Sequence, residues 1–225
     1  MIKRVEIFAL AEGKDPGQAW KYLTEIRALA IAGSMPELRK FVLSRAVEPW
    51  PERVGEMGGP PRWWCISEMC FDDRESCLNA LAGMDGIRDS EWDAFVGEDL
   101  GSAIVEENYI INEAVPEKHC KRLGIFRLKQ GADPEEAWKY WVTIHAENWR
   151  TTSPGCSLYK IARAAETPWG APDWWGFLEQ RFDSIQAVES CMHHPRPKDD
   201  FMELYMSGLT GGIGYCEEKT IVSGR

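Results

Sequence analysis

The chain has little that would direct it to a membrane, a nucleic acid or a metal. None of its 225 residues fall in a run approaching 18 apolar positions, so no transmembrane helix is expected. The opening stretch "MIKRVEIFAL" lacks the long apolar core of a signal peptide, and a cytoplasmic protein is the expectation. Positive charge is scarce: 26 Lys and Arg face 36 Asp and Glu, for a net charge of −10. A non-specific nucleic-acid binder needs a positive face, and an anionic membrane surface would repel this chain, so neither is an expected partner. The seven cysteines are odd in number and show no C-x-x-C spacing, which argues against a zinc ribbon or a disulfide scaffold and for reduced thiols. Histidine is rare, with four in all. The adjacent pair His193 and His194 has no third spaced partner, so no metal site is assigned; that stretch reads as a loop over a barrel mouth, with Asp199 and Asp200 as solvated charges. "SGLTGGIG" from Ser207 has neither the spacing nor the lysine of a phosphate loop, and reads as a turn.

What the chain does have is tryptophan and repetition. Eleven tryptophans include the pairs Trp63-Trp64 and Trp174-Trp175, which suit either a core or an aromatic-lined pocket. Gly13 to Ala28 aligns with Gly131 to Ala146 at an offset of 118, with nine of 16 positions identical, where chance would give about one. "PRWWCISEMCFD" from Pro61 matches "PDWWGFLEQRFD" from Pro172, and "EPW" at Glu48 matches "TPW" at Thr167. Each copy closes on a run with paired acids, "IVEENYII" from Ile104 and "YCEEKTIV" from Tyr215.

Each copy predicts the same order of elements. A strand (Val5 to Leu10; Leu123 to Leu128) leads through a Gly and Asp-Pro turn into a helix carrying "AWKY". Asp15 or Asp133 caps that helix and Pro16 or Pro134 stands in its first turn. A second strand follows (Lys40 to Ala46; Leu158 to Arg163), then a Pro/Trp-rich loop, longer in the first copy through "PERVGEMGG". A third strand (Trp64 to Phe71; Trp175 to Phe182), a second helix from near Asp72 or Asp183 and a last strand complete the unit. This is βαββαβ, the ferredoxin-like motif, and the fold class is α+β. Its sheet keeps one face bare, so the two copies are expected to pack sheet to sheet as a pseudo-dimeric α+β barrel with helices outside. The repeats are placed at 1–114 and 120–225, joined near "NEAVPEKHCK".

The "YW…HA" helix of the second copy (Tyr140-Trp141, His145-Ala146) and the later "FLEQRFDSIQAVESCMHHP" resemble the EthD-like family of the dimeric α+β barrel superfamily. The first copy departs from that pattern, with Tyr22-Leu23 and Arg27-Ala28. The resemblance implies a small enzyme or ligand binder. Proteins of this superfamily include cofactor-free isomerases, lyases and monooxygenases, haem-dependent enzymes, and members with no known reaction.

Strand alternation places Met69, Phe71, Leu178 and Phe182 under the helices, and Glu68 and Glu179 in the barrel interior beside Trp64 and Trp175. Arg181, two residues from Glu179, is the candidate partner, and a carboxylate there is either a structural ion pair or an acid/base of raised pKa. Trp138, Trp141, His145 and Trp149 recur at helical spacing. His145 is either structural or a base, and Arg27, its counterpart, stabilises anionic charge. Tyr22 and Tyr140 pack or cap the pocket. The leading expectation is a cofactor-independent lyase or isomerase on a small aromatic or hydrophobic compound, in aromatic-compound catabolism. His145, Glu179 and Glu68 carry the acid/base roles, Arg27 and Arg181 hold negative charge, and Trp64, Trp175, Tyr140, Tyr22 and Trp141 line the site. The alternatives are a monooxygenase that uses its substrate's own electrons, a haem binder, or a non-catalytic carrier of a hydrophobic ligand. Exchange of His145 for Arg27 predicts one site, or two unlike ones. Association into a homo-oligomer is compatible with the sequence.

Overall fold

A computed structural model describes residues 1–48, 61–82, 90–207 and 213–224. The long loop "PERVGEMGG", the counterpart tryptophan of "EPW" and most of the glycine-rich turn lie outside the described residues. The first half runs β1 (Ile2–Leu10), α1 (Pro16–Tyr22), a π-helical turn (Leu23–Arg27), α2 (Ala28–Ser34), β2 (Lys40–Val47), β3 (Cys65–Phe71), α3 (Arg74–Ala82), α4 (Ser90–Phe95) and β4 (Val96–Asn112). The second half repeats that order as β5 (Cys120–Phe126), α5 (Pro134–Tyr140), a π-helical turn (Trp141–His145), α6 (Ala146–Thr151), β6 (Cys156–Glu166), β7 (Gly176–Phe182), α7 (Ile185–His193), α8 (Phe201–Tyr205) and β8 (Ile213–Ser223).

The signals read from sequence act as expected at the helix starts. Asp15 Oδ1 accepts from the Gln18 N–H at 2.7 Å, and Asp133 Oδ1 from those of Glu135 and Glu136. Gly13 and Gly131, identical in both copies, sit at φ +76° and +84°, where a side chain would be strained. The repeated tryptophan is an anchor for a charged lid. Arg45 lies 5.0 Å over Trp20 and binds Glu217, while Arg163 lies 5.3 Å over Trp138 and binds Glu106.

All neighbouring strands are antiparallel, and they close in the order β1-β3-β2-β8-β5-β7-β6-β4. Closure is edge to edge. Strand β2 ladders onto β8 and β4 onto β6, so the two sheets form one continuous wall where stacked faces were expected. The side chains sort into three apolar clusters. One lies between the first sheet and its helices and one between the second sheet and its helices. The third fills one end of the barrel lumen, around Val5, Ile7, Ile66, Leu123, Ile125 and Phe177.

That sorting corrects the placement of one aromatic pair. Trp63 and Trp174 belong to the lumen cluster, whereas Trp64 and Trp175 lie under the helices. Trp64 meets Trp20 and Phe8, and Trp175 meets Trp138 and Trp141. The regular strands begin only at Cys65 and Gly176, so alternation does not extend back to the residue before them. Among the described residues no helix is long and apolar enough to cross a membrane. The cysteines are free, and burial pushes the Cys156 thiol up to about 12.

Candidate functional site

Three places hold the residues singled out from sequence, and the structure does not merge them. The first is the other end of the barrel lumen. Lys3, Lys121, Lys160 and Arg181 meet Glu68, Glu107, Glu179 and Glu218 there. Lys160 Nζ lies 2.7 Å from Glu179, 3.0 Å from Glu107 and 3.3 Å from Glu68. Glu68 and Glu179 do face the interior, and Arg181 Nε donates to Glu179 at 2.8 Å as anticipated. Of the two readings open from sequence, their surroundings match the structural ion pair and not the acid/base of raised pKa. Burial alone would raise the Glu68 carboxyl, but Lys160, Lys3 and Lys121 outweigh it and hold it well below the usual range. Burial would likewise raise Glu179, and Lys121 and Lys160 hold it down. Both are therefore fixed anions, and neither is poised to exchange a proton near neutral pH. A cavity of about 230 Å³ opens beside this network at the barrel mouth.

The second place is the helix layer of the second half. His145 ends the π-helical turn, where the wider spacing turns Ala146 fully inward and leaves His145 beside it, partly exposed. Its Nδ1 is 2.9 Å from Asp199, which also accepts from Asn148 Nδ2 and from the Phe201 N–H. Burial opposes ionisation of Asp199, yet those hydrogen bonds from His145 and Asn148 bring it down to about 2. Asp199 is thus not a solvated charge, and residues 194–200 cover helices instead of the barrel mouth. Phe201 packs against His145 in a tilted contact at 4.7 Å and stacks on Trp141 at 5.4 Å; Tyr140 packs on Phe201 and Tyr205 and accepts from the Asp200 N–H. Trp141 is fully buried over Gly176, where a Cβ would come within 2.7 Å of its ring. His145 and Glu179 therefore sit on opposite faces of the sheet and do not form one acid/base pair. A haem at His145 does not fit either, because Trp141, Tyr159 and Phe201, all fully buried, fill the space between helices and sheet. Among the described residues no group of three His, Cys, Asp or Glu is placed to hold a metal. His193 and His194 are exposed.

The third place is the equivalent layer of the first half, and it is open. A cavity of about 400 Å³ lies there, within the range of small-ligand sites. Arg27, the counterpart of His145, lines it with its guanidinium 4.4 Å over Trp92. Arg4 from β1 lines it too; it donates to Glu6 at 3.2 Å and lies 5.1 Å over Trp169, while its buried Nε has no hydrogen-bond partner among the described residues. Phe8, Trp92 and Trp169 supply apolar walls, and Glu6, Asp93, Asp99 and Ser102 supply polar ones. Trp169 comes from the loop between β6 and β7, so both halves build the site. A bulge positions it. Pairing slips between Glu6–Ser102 and Phe8–Asp99, Gly101 takes φ +89°, and Asp99 accepts from the Gly101 N–H. A Cβ at Gly101 would sit 2.7 Å from Pro172, so glycine is what lets the loop bearing Trp169 approach. Tyr22 packs beside the site, 5.6 Å from Phe95. In the filled half, Trp141 stands where the open half has Leu23, and it presses on Phe126, the counterpart of the cavity-lining Phe8.

Of the residues named from sequence, only Arg27 lines this cavity. Arg4, Glu6, Trp92 and Trp169 were not anticipated. Trp169 was legible as part of the "EPW/TPW" match and Arg4 as the neighbour of a strand start, but nothing local marks them as converging.

Comparison with known proteins bears on the fold. No family profile matches the chain, and no curated protein matches it significantly. Among solved structures, an anthrone oxidase-like protein superposes with a TM-score of 0.64 at 12% identity, over 98% of this chain and 93% of that one. A candidate monooxygenase of Fusobacterium nucleatum superposes with a TM-score of 0.55 at 12% identity, over 98% and 92%. These neighbours are dimeric α+β barrel proteins, and this chain has their fold: an eight-stranded antiparallel barrel with helices outside.

Proposed function

We propose that the chain is an oxygen-dependent enzyme that oxidises an acidic aromatic compound with the substrate's own electrons. The observation that carries this reading is the cavity of the first half, in which two guanidiniums and three carboxylates (Glu6, Asp93 and Asp99) stand beside aromatic walls. The names of the two structural neighbours agree with it, though at their identity they speak only for the fold. The chemistry suits an aromatic ring bearing a phenol or an enolisable CH2. Glu6 accepts a C–H proton. Arg4 and Arg27 hold the enolate or phenolate oxygen as charge develops. Trp92, Trp169 and Phe8 sandwich the ring and exclude water. The electron-rich anion then reduces O2. Atoms and electrons balance as R–CH2–R′ + O2 → R–CO–R′ + H2O, with all four electrons drawn from the substrate carbon.

The lyase or isomerase reading shares the first step, since proton removal to an enolate precedes either outcome. Oxygen uptake separates them. With hydroxylated polycyclic aromatics carrying an activated CH2, the proposal expects substrate-dependent O2 consumption equimolar with product and no turnover under nitrogen. Equal turnover without oxygen would replace it by the proton-transfer reading. The proposal extends to descent and setting: two ferredoxin-like repeats, 1–114 and 120–225, of EthD-like type, fused in tandem and diverged so that one half keeps the site, in a cytoplasmic enzyme of aromatic-compound catabolism.

A further inference from the structure

The two halves differ at the polar mouth of the barrel lumen, and the difference leaves room there. In the outermost lumen row of the second half, register sets Arg181 between Lys121 and Leu158. Arg181 fills its position by donating to Glu179 and Glu218, each at 2.8 Å. The same row of the first half sets Cys70 between Lys3 and Lys40. Cys70 is the counterpart of Arg181, and a thiol is far shorter than a guanidinium side chain. The cavity of about 230 Å³ beside the network is lined by Cys70 and by both of its flanking lysines. Val42 and Leu158 line it as well, so ammonium groups and aliphatic side chains share one small space. The opposite end of the lumen, by contrast, is packed with apolar side chains.

Charge decides what this space can hold. Shape alone would suit an arginine-like cation, in the place that Arg181 has in the other half. The carboxylates of the first half are already neutralised, however. Lys3 Nζ lies 3.0 Å from Glu68 and 2.7 Å from Glu107, and Lys160 reaches both from the second half at 3.3 and 3.0 Å. The network balances four cations against four carboxylates, and Lys40 is a further cation. It is exposed at the rim, and among the described residues it forms no ion pair. Lys3 uses two of its N–H donors on Glu68 and Glu107, which leaves one. A void walled by charged groups does not stay dry; it takes water or a polar ligand. The ligand that matches a surplus cation and a spare ammonium donor is an anion. A volume below the roughly 300–1,000 Å³ of larger ligand pockets makes it a small one. We propose that this space is a second binding site, separate from the cavity of the first half, which takes a short-chain organic acid. Its carboxylate sits between the ammonium groups of Lys3 and Lys40, and its hydrocarbon tail lies against Val42 and Leu158.

The test uses the full chain with butyrate as the probe, and acetate, inorganic phosphate and methylguanidinium as comparisons. Calorimetry should show saturable butyrate binding at one site, tighter than acetate or phosphate, which lack a tail to bury against Val42 and Leu158. Lys40→Met should weaken butyrate about tenfold or more, the loss of one charge-assisted hydrogen bond. Lys40 is exposed, so this variant keeps the fold. Cys70→Met, which fills the space without adding charge, should abolish binding while circular dichroism stays that of the wild type. Arg4→Met, in the other cavity, should leave butyrate binding unchanged. Acetate or phosphate binding as tightly as butyrate would overturn the assignment to an acid with a hydrocarbon tail. Methylguanidinium binding in place of butyrate would overturn the anion. Butyrate binding indifferent to both Lys40→Met and Cys70→Met, or no saturable binding at all, would leave the space to water and overturn the site.

Discussion

Replacing Lys160 by Met should destabilise the barrel in a way that depends on pH. Four cations (Lys3, Lys121, Lys160, Arg181) and four carboxylates (Glu68, Glu107, Glu179, Glu218) balance at the polar end of the lumen. Lys160, like Lys121, touches three of those carboxylates, and its counterpart in the first half is Val42, so symmetry supplies no substitute. Its removal leaves one buried negative charge uncompensated, at a cost of about 3–5 kcal/mol. For a chain of this length the melting temperature should fall by roughly 6–20 °C at pH 7. The sign with pH follows from Glu68 and Glu179, whose folded pKa values are depressed. Such groups contribute stability that is present above the unfolded value of about 4.3 and is lost as pH falls through the folded one. In the variant these carboxyls titrate higher, so the deficit is greatest at neutral pH and shrinks on acidification. Thermal melts of both proteins between about pH 4 and 8 measure it, and Lys160→Met/Glu179→Gln should recover much of the loss by restoring the balance. A fall in melting temperature under about 2 °C at pH 7, or a deficit that does not shrink towards pH 4, would refute the reasoning.

Gly101→Ala should cost about 1–3 kcal/mol in urea unfolding, because φ +89° and the approach of Pro172 both exclude a Cβ, and it should lower turnover by displacing the loop that carries Trp169. Gly176→Ala should destabilise by about 1–3 kcal/mol against the Trp141 ring, read from the same unfolding curves. Asp199→Asn should loosen α8, seen as faster hydrogen exchange at Phe201–Tyr205; in the wild type that anchoring is present above the unfolded value of about 3.9 and is lost as pH falls towards about 2. Arg4→Met should reduce turnover while leaving the fold intact, checked by circular dichroism beside the oxygen assay.

The repeat carried most of the fold. Identity at Gly13, Asp15, Pro16 and Trp20 with their partners marks a turn, a cap and an anchor, each a local device with a local signature. Strand alternation was enough to send Glu68 and Glu179 inward. It failed at Trp64 and Trp175, which precede the regular strands and follow the helix layer. The π-helical turns were not visible, because one wider turn shifts phase without changing composition; they set where Arg27 and His145 end up. Asp199 read as a surface charge because its partner lies 54 residues away in sequence. The cavity escaped for the same reason, since Arg4, Trp92 and Trp169 come from three distant segments and meet only after the barrel closes.

The helix that occurs twice, with Arg27 in one copy and His145 in the other, places the account's central claim within reach of one comparison. Turnover of an activated phenolic aromatic is measured for Arg27→Met and His145→Ala side by side. The cavity of the first half predicts that Arg27→Met loses about tenfold or more of kcat/KM, while His145→Ala stays within about twofold of the wild type. Loss of turnover in His145→Ala with Arg27→Met unaffected would place the chemistry in the other half and contradict it.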